Sequence, residues 1–255
     1  MLKRYFGDAT FNRRVTAVAL PIIIQNAITN FVSLLDNIMV GQVGTLQMSG
    51  VSIVNNLVFV FMLCVIGGCA GAGIFVAQYH GSGDQKSIGY IFRYKFLLSL
   101  LLSVIGCGLF YFFGDPLINL YLQGEGDPAD AAQVLIFGRE YLMVTLIGLL
   151  PFAISTAYAS TLRECGQTVV PMVAGIVAVF VNLFFNYVLI FGHFGAPAMG
   201  VKGAAIATVI SRYVELFIIV IWTHTNTEKA PFIKGVFRSL YIPGALVKQV
   251  TLKGM

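Results

Sequence analysis

The side chains in this sequence with most chemistry to offer are polar groups set where hydrocarbon should exclude them. Asp36 lies about 21 residues after Val15 in one apolar run, hence about 30 Å along a helix, near the far end of that run. A carboxylate inside a membrane costs several kcal/mol to insert and marks a functional site by default; the competing reading is an interfacial Asp capping the helix near Gly41, and the insertion cost favours function. Asn182 and Asn186 are four residues apart and share one helix face. That spacing fits a ligand pair, and it fits interhelical hydrogen-bond glue worth about 0.6 to 2 kcal/mol equally well. Arg212 and Glu215, spaced i, i+3, can neutralise each other, which fits a structural or cleft-lining role better than ion coupling. Pro21, one turn into its helix, removes a backbone hydrogen bond and is a candidate kink, either a hinge or a static bend.

Other chemistries lack their residues. Gly81-Ser82-Gly83-Asp84 resembles the G-x-G-D run of an intramembrane aspartyl protease, but such a dyad needs two carboxylates sharing one proton, and Asp84 and Asp36 belong to opposite sides of the membrane. Neither H-E-x-x-H nor G-x-S-x-G occurs. Cys64, Cys69 and Cys107 lie in apolar runs and Cys165 in a short polar gap, which suits reduced packing residues better than disulfides or a metal site. The expected cofactor is therefore none.

These residues must be positioned by helices in a bilayer. The 255 residues are 58% hydrophobic and 11% charged, whereas soluble domains carry about 25% charged residues. The net charge of +5 comes from scattered Lys and Arg, not from a basic face, so nucleic acid is not an expected partner. Six apolar stretches of about 20 residues predict an all-α integral membrane protein with spans near 15–40, 51–77, 93–113, 139–159, 169–191 and 204–222. The first, far longer than a signal's apolar core, is a retained span. Residues 1–14 then form an N-terminal segment, 15–222 the bundle, and 223–255 an amphipathic, basic connector on the anionic leaflet. One set of loops holds every Lys and Arg except Arg139, Lys202 and the intramembrane Arg212, while the opposite set holds Asp115, Glu125, Asp127 and Asp130; both termini are expected in the cytoplasm. That orientation brings Asp36, Asn182 and Asn186 to similar depth in the outer half, with Tyr141 and Thr208 early in the fourth and sixth spans. Together they could form a polar pocket for a proton or a small cation. Glycine and alanine at 203–205 and 207 would let backbones approach closely there.

In this order and spacing the chain resembles the multidrug and toxic compound extrusion (MATE) transporters. The resemblance is carried by Ala19-Leu20-Pro21, Leu35-Asp36-Asn37-Ile38-Met39-Val40-Gly41, Val76-Ala77-Gln78 with Gly81-Ser82-Gly83-Asp84, Arg163 to Gln167, Asn182 to Asn186 with Ile190-Phe191-Gly192, and Gly200 to Thr208. It implies a multidrug efflux antiporter of the cell (plasma or inner) membrane that exchanges organic cations or amphipathic drugs for H⁺ or Na⁺. It also implies twelve helices in two lobes, of which this chain looks like the N-terminal lobe. By the same resemblance, Asp36 joins Tyr141, Asn182, Asn186 and Thr208 at the coupling site. Many members have an aspartate at the position of Asn186.

A lone lobe has nothing to rock against, so the resemblance implies a second six-helix lobe, either a missing C-terminal half or a partner subunit. The sequence stops within the connector, just before a seventh span would start, which favours truncation over a pairing half or an inactive fragment. Two rivals stand beside this reading. A lipid-linked oligosaccharide flippase of the same superfamily would want more cationic residues facing its cavity than Arg212 alone, and a non-transporting membrane subunit is supported only by the half length.

Overall fold

An apolar stretch crossing hydrocarbon must satisfy its backbone polar groups internally, and a helix does so within one segment. The computed structural model describes residues 9–123 and 127–254. Its long elements are α1 (Ala9–Gly41), α2 (Thr45–Ser82), α3 (Gln85–Leu122), α4 (Pro128–Glu164), α5 (Val169–Phe191), α6 (Gly200–Thr225) and the short α7 (Gly244–Gly254). Among the described residues, α1 from Val15 onward and α2 to α6 are the six membrane-spanning helices. Lys3, Arg4 and Glu125 lie outside the described residues, as do the side chains of Arg14 and Lys253.

The helices overrun the apolar stretches that announce them. α2 and α3 have 38 residues each and α4 has 37, about 55 Å at 1.5 Å per residue. The stretch left between the expected third and fourth spans, 114–138, is therefore largely helix. α3 continues through Pro116 to Leu122 and carries Asp115, which pairs at 3.3 Å with exposed Arg139 of α4. Hydropathy registers only the part in hydrocarbon, whereas backbone hydrogen bonding continues until something stops it. At the α2–α3 junction that stop is Gly83, left-handed at φ 78°, followed by Asp84, whose carboxylate accepts from the Ser87 N–H at 3.1 Å. The G-S-G-D run is thus a pair of helix caps. Hydrogen bonds from Ser87 hold the Asp84 carboxyl below the usual range.

α4 is the hub, packed against α2, α3 and α6; α5 lies on α6, and α1 lies chiefly on α5. Small residues permit the closest crossings. A Cβ on Gly50 would meet the Gly138 and Val134 backbone of α4 at 2.8 and 2.9 Å, and one on Gly203 would meet the Leu189 carbonyl of α5 at 2.6 Å. Two apolar clusters result. One joins Val54, Leu142, Leu149 and Ile190 toward the end where α1 meets α2. The other joins Val76, Ile88, Phe92, Leu162 and Ile219 at the end where α2 meets α3.

Two expectations change here. Lys95, counted among the loop cations, is fully buried within α3 and bonded to Glu164 of α4, because α3 begins ten residues earlier, at Gln85. Of residues 223–255, read as a surface connector, 223–225 complete α6 and the described part from 226 to 254 folds back on the bundle. Phe232, Ile233 and Val236 are buried in the second cluster, and α7 packs on α2 through Val250. Alternation of basic and apolar residues describes a one-sided segment equally well whether its apolar side meets lipid or protein.

Candidate functional site

Four packed helices deliver the polar groups of the expected site: α1 carries Asp36, α4 Tyr141, α5 both Asn182 and Asn186, and α6 Thr208. Asp36 is five residues before the end of α1, and Asn186 is five before the end of α5. These neighbouring helices place the two at one level. Asn186 is completely buried; its Nδ2 donates to Asp36 Oδ1 and, at 3.2 Å, to Asn182 Oδ1. Asn182 Nδ2 in turn donates to Thr208 Oγ1 of α6 at 3.3 Å. Tyr141, buried in α4, donates its hydroxyl to Asn55 Oδ1 of α2 at 3.2 Å, with Thr208 also in reach. All five expected residues therefore meet in one region. Tyr141 is not early in its helix, however: α4 begins at Pro128, thirteen residues before it, or about 20 Å.

The network leaves one group unanswered. Asn186 Oδ1 is buried and has no hydrogen-bond partner among the described residues. Turning the amide over would aim that oxygen at the Asp36 carboxylate, which is repulsive while Asp36 is ionised. An acceptor beside a carboxylate, with amide and hydroxyl oxygens adjacent, is a set of hard oxygen donors of the kind that suits a small cation. Among the described residues no cluster of three or more His, Cys, Asp or Glu side chains has the geometry to hold a metal ion.

A cavity of about 610 Å³ opens between α1, α2, α4, α5 and α6, with Asp36, Asn182 and Thr208 on its wall; Tyr141 and Asn186 stand behind that wall. Arg212 and Glu215 also line it. They pair at 3.4 Å, and the guanidinium carbon lies 5.0 Å from the Phe152 ring centre. α1 is one continuous helix through Pro21.

Sequence reasoning missed the other pole of this cavity. Glu164 lines it and pairs with Lys95 Nζ at 2.5 Å, while Lys95 also donates to Ser160 at 3.2 Å. Arg163 donates to Gln25 Oε1 at 3.3 Å, tying α4 to α1, and Gln25 donates to the Pro171 carbonyl. The available signal was opposite charges at the same end of two antiparallel spans, Arg93 and Lys95 on one and Arg163 and Glu164 on the other. Nothing in the sequence placed them face to face.

A family model described as MatE matches residues 21–188. The probable multidrug resistance protein NorM of Thermotoga maritima is 32% identical over 202 residues, 79% of this chain and 42% of that protein. The multidrug resistance protein PmpM of Pseudomonas aeruginosa is 28% identical over 196 residues, 77% of this chain and 40% of that protein. The chain spans about half, or somewhat less, of the length of these curated relatives. Among solved structures, a MOP superfamily transporter from Pyrococcus furiosus, described as having a binding pocket of reverse polarity, superposes with a TM-score of 0.79 at 20% identity. The match covers 94% of this chain and 50% of that one. An outward-facing multidrug resistance MATE family transporter gives 0.77 at 21% identity, covering 94% and 51%. These likenesses carry the fold, six helices that match half of a longer transporter chain. With the family model running from the first span through most of the fifth, the chain belongs to the MatE family of membrane transporters, not to a family of enzymes.

Proposed function

We propose that this chain is the N-terminal lobe of a multidrug efflux antiporter of the cell membrane, working with a second six-helix lobe. It exports organic cations or amphipathic drugs in exchange for H⁺ or Na⁺, with Asp36 as the coupling carboxylate. The observation that carries the reading is the orphaned Asn186 Oδ1 beside Asp36. A buried acceptor without a partner costs about 1 to 3 kcal/mol, and a cation held between it and the carboxylate removes that cost. A proton on Asp36 would instead turn the carboxyl into a donor toward the same oxygens. Competition of proton and cation for one side chain supplies exchange, with Asn182 and Thr208 on the cavity wall and Tyr141 and Asn186 behind it. Pro21 serves as a hinge for α1, which is the least buried of the six spans.

Cavity charge favours a cationic substrate over a lipid-linked oligosaccharide. Arg163 and Arg212 face it, but Asp36, Glu164 and Glu215 line it as well, so it is not a cationic cradle for a pyrophosphate. The test is ion-dependent thermal stabilisation of the purified chain. Na⁺ at 100 times its dissociation constant should stabilise it by about 2.7 kcal/mol. Asp36→Asn should abolish this, and a double-mutant cycle with Asn186→Ala should be non-additive. In protein carrying both lobes, Asp36→Asn should cut ion-driven efflux at least about tenfold. Undiminished efflux by a well-expressed Asp36→Asn protein would sink the coupling role.

A further inference from the structure

A second concavity, about 400 Å³, lies away from the transport cavity, between the first turns of α3 and the folded-back connector. Its construction is specific. Arg93 of α3 donates to three connector carbonyls, Val236 at 2.5 Å, Tyr241 at 3.0 Å and Gly235 at 3.4 Å, which fixes the connector across the helix. Its guanidinium carbon also lies 5.3 Å from the Tyr90 ring centre. All three of its partners are neutral, so the guanidinium charge remains uncompensated. Lys86 from the helix and Lys234 from the connector line the same groove from opposite walls. None of these three cations has a carboxylate within 4.0 Å among the described residues, and no acidic side chain lines the groove. The nearby Asp84 carboxylate, which accepts from the N–H and hydroxyl of Ser87, acts on Lys86 only from beyond ion-pair distance. In the groove wall, Gln85 Oε1 is buried and has no hydrogen-bond partner among the described residues. Tyr90, Phe232 and Tyr241 add aromatic surface to the groove, Tyr241 being exposed, and the connector segment that supplies Tyr241 also exposes Leu240.

We propose that this groove binds the headgroup of an anionic membrane phospholipid. The phosphate sits among Lys86, Lys234 and Arg93, and a headgroup hydroxyl donates to Gln85 Oε1. Three converging cations suit a phosphate, and basic pockets at the ends of spans are the usual form of lipid-headgroup recognition. The unanswered acceptor selects a headgroup that also carries a donor, which choline lacks. The connector points to a lipid as the source of the phosphate, because exposed Tyr241 in the groove and exposed Leu240 next to it in the chain provide the aromatic and apolar surface that settles at a membrane interface. This inference does not depend on the transport reading.

The experiment is native mass spectrometry and thermal stability of the purified chain in neutral detergent. Titrants are dioleoylphosphatidylglycerol, dioleoylphosphatidylcholine and inorganic phosphate. Phosphatidylglycerol should be retained and stabilise the fold, and the other two should not. The double variant Lys86→Gln/Lys234→Gln should bind phosphatidylglycerol about 30-fold more weakly, at about fivefold per lysine. Lys202→Gln, at the other end of the bundle, should bind as the unchanged chain does, and Lys86→Arg/Lys234→Arg should keep most of the affinity. Unchanged retention by the double Gln variant, or equal retention of phosphatidylcholine, would overturn the site. Displacement of the lipid by equimolar inorganic phosphate would overturn the lipid assignment in favour of a soluble anion.

Discussion

At the scale of single residues, the buried Lys95–Glu164 pair is the most consequential contact outside the Asp36 network. Lys95 has no exposure, whereas 18% of the Glu164 side chain remains exposed at the cavity. Gly73 of α2 makes room for it, since a Cβ there would collide with the Glu164 carboxylate. Removing one partner of a buried pair strands the other charge, at about 3 to 5 kcal/mol. The two deletions should therefore be unequal. Glu164→Gln strands an ammonium with no route to water and should cost the full amount, while Lys95→Met leaves a carboxylate that the cavity can hydrate and should cost about half. The double variant Lys95→Met/Glu164→Gln should recover most of the loss. Thermal unfolding in detergent measures all three, and simple additivity would mean that the pair contributes no mutual stabilisation.

At the scale of elements, α4 can be the hub because glycine lets α2 approach it backbone to backbone, and α6 meets α5 in the same way. The glycines are not equivalent. Gly50→Ala and Gly203→Ala force a methyl into backbone at 2.6 to 2.9 Å and should each cost about 1 to 3 kcal/mol through helix displacement. Gly67 and Gly108 have nothing within 4 Å of the added carbon, so Gly67→Ala and Gly108→Ala should be neutral or raise stability by up to about 1 kcal/mol through helix propensity. Melting curves of the four variants decide it: equal effects at all four positions would mean that close approach is not what these glycines provide.

At the scale of the whole molecule, the question is which end faces the cytoplasm. The burial of Lys95 removes one cation from the argument and leaves Lys86, Arg93, Lys229, Lys234 and Arg238 grouped at the end where α2 meets α3. That end should be cytoplasmic. In intact cells a membrane-impermeant maleimide should label Lys202→Cys and spare Ser82→Cys, and the reverse pattern would invert the topology. Native Cys165 contributes little background, being buried with its thiol pushed up to about 12 by that burial and by Glu164. The cavity that α1, α4, α5 and α6 enclose with α2 is the surface a second lobe would complete on the reading proposed above.

How much of this was legible in the sequence depends on how local each property is. Helical spanning structure follows from apolar length and backbone hydrogen bonding alone, so all six spans could be read directly, as could the shared face of Asn182 and Asn186 and the pairing of Arg212 with Glu215. Asp36 stood out because a lone carboxylate in hydrocarbon is costly wherever it falls. The true helix ends were not legible, because caps such as Gly83–Asp84 stop a helix far beyond its apolar window. Contacts between helices were not legible either. That Asn186 bonds Asp36, that Lys95 turns inward to Glu164 while Arg93 turns to the connector, and that residues 231–238 plug the bundle instead of lying free all depend on helix rotation and on which backbones glycine brings together. Periodicity along one helix fixes which residues share a face; only tertiary packing decides what that face meets.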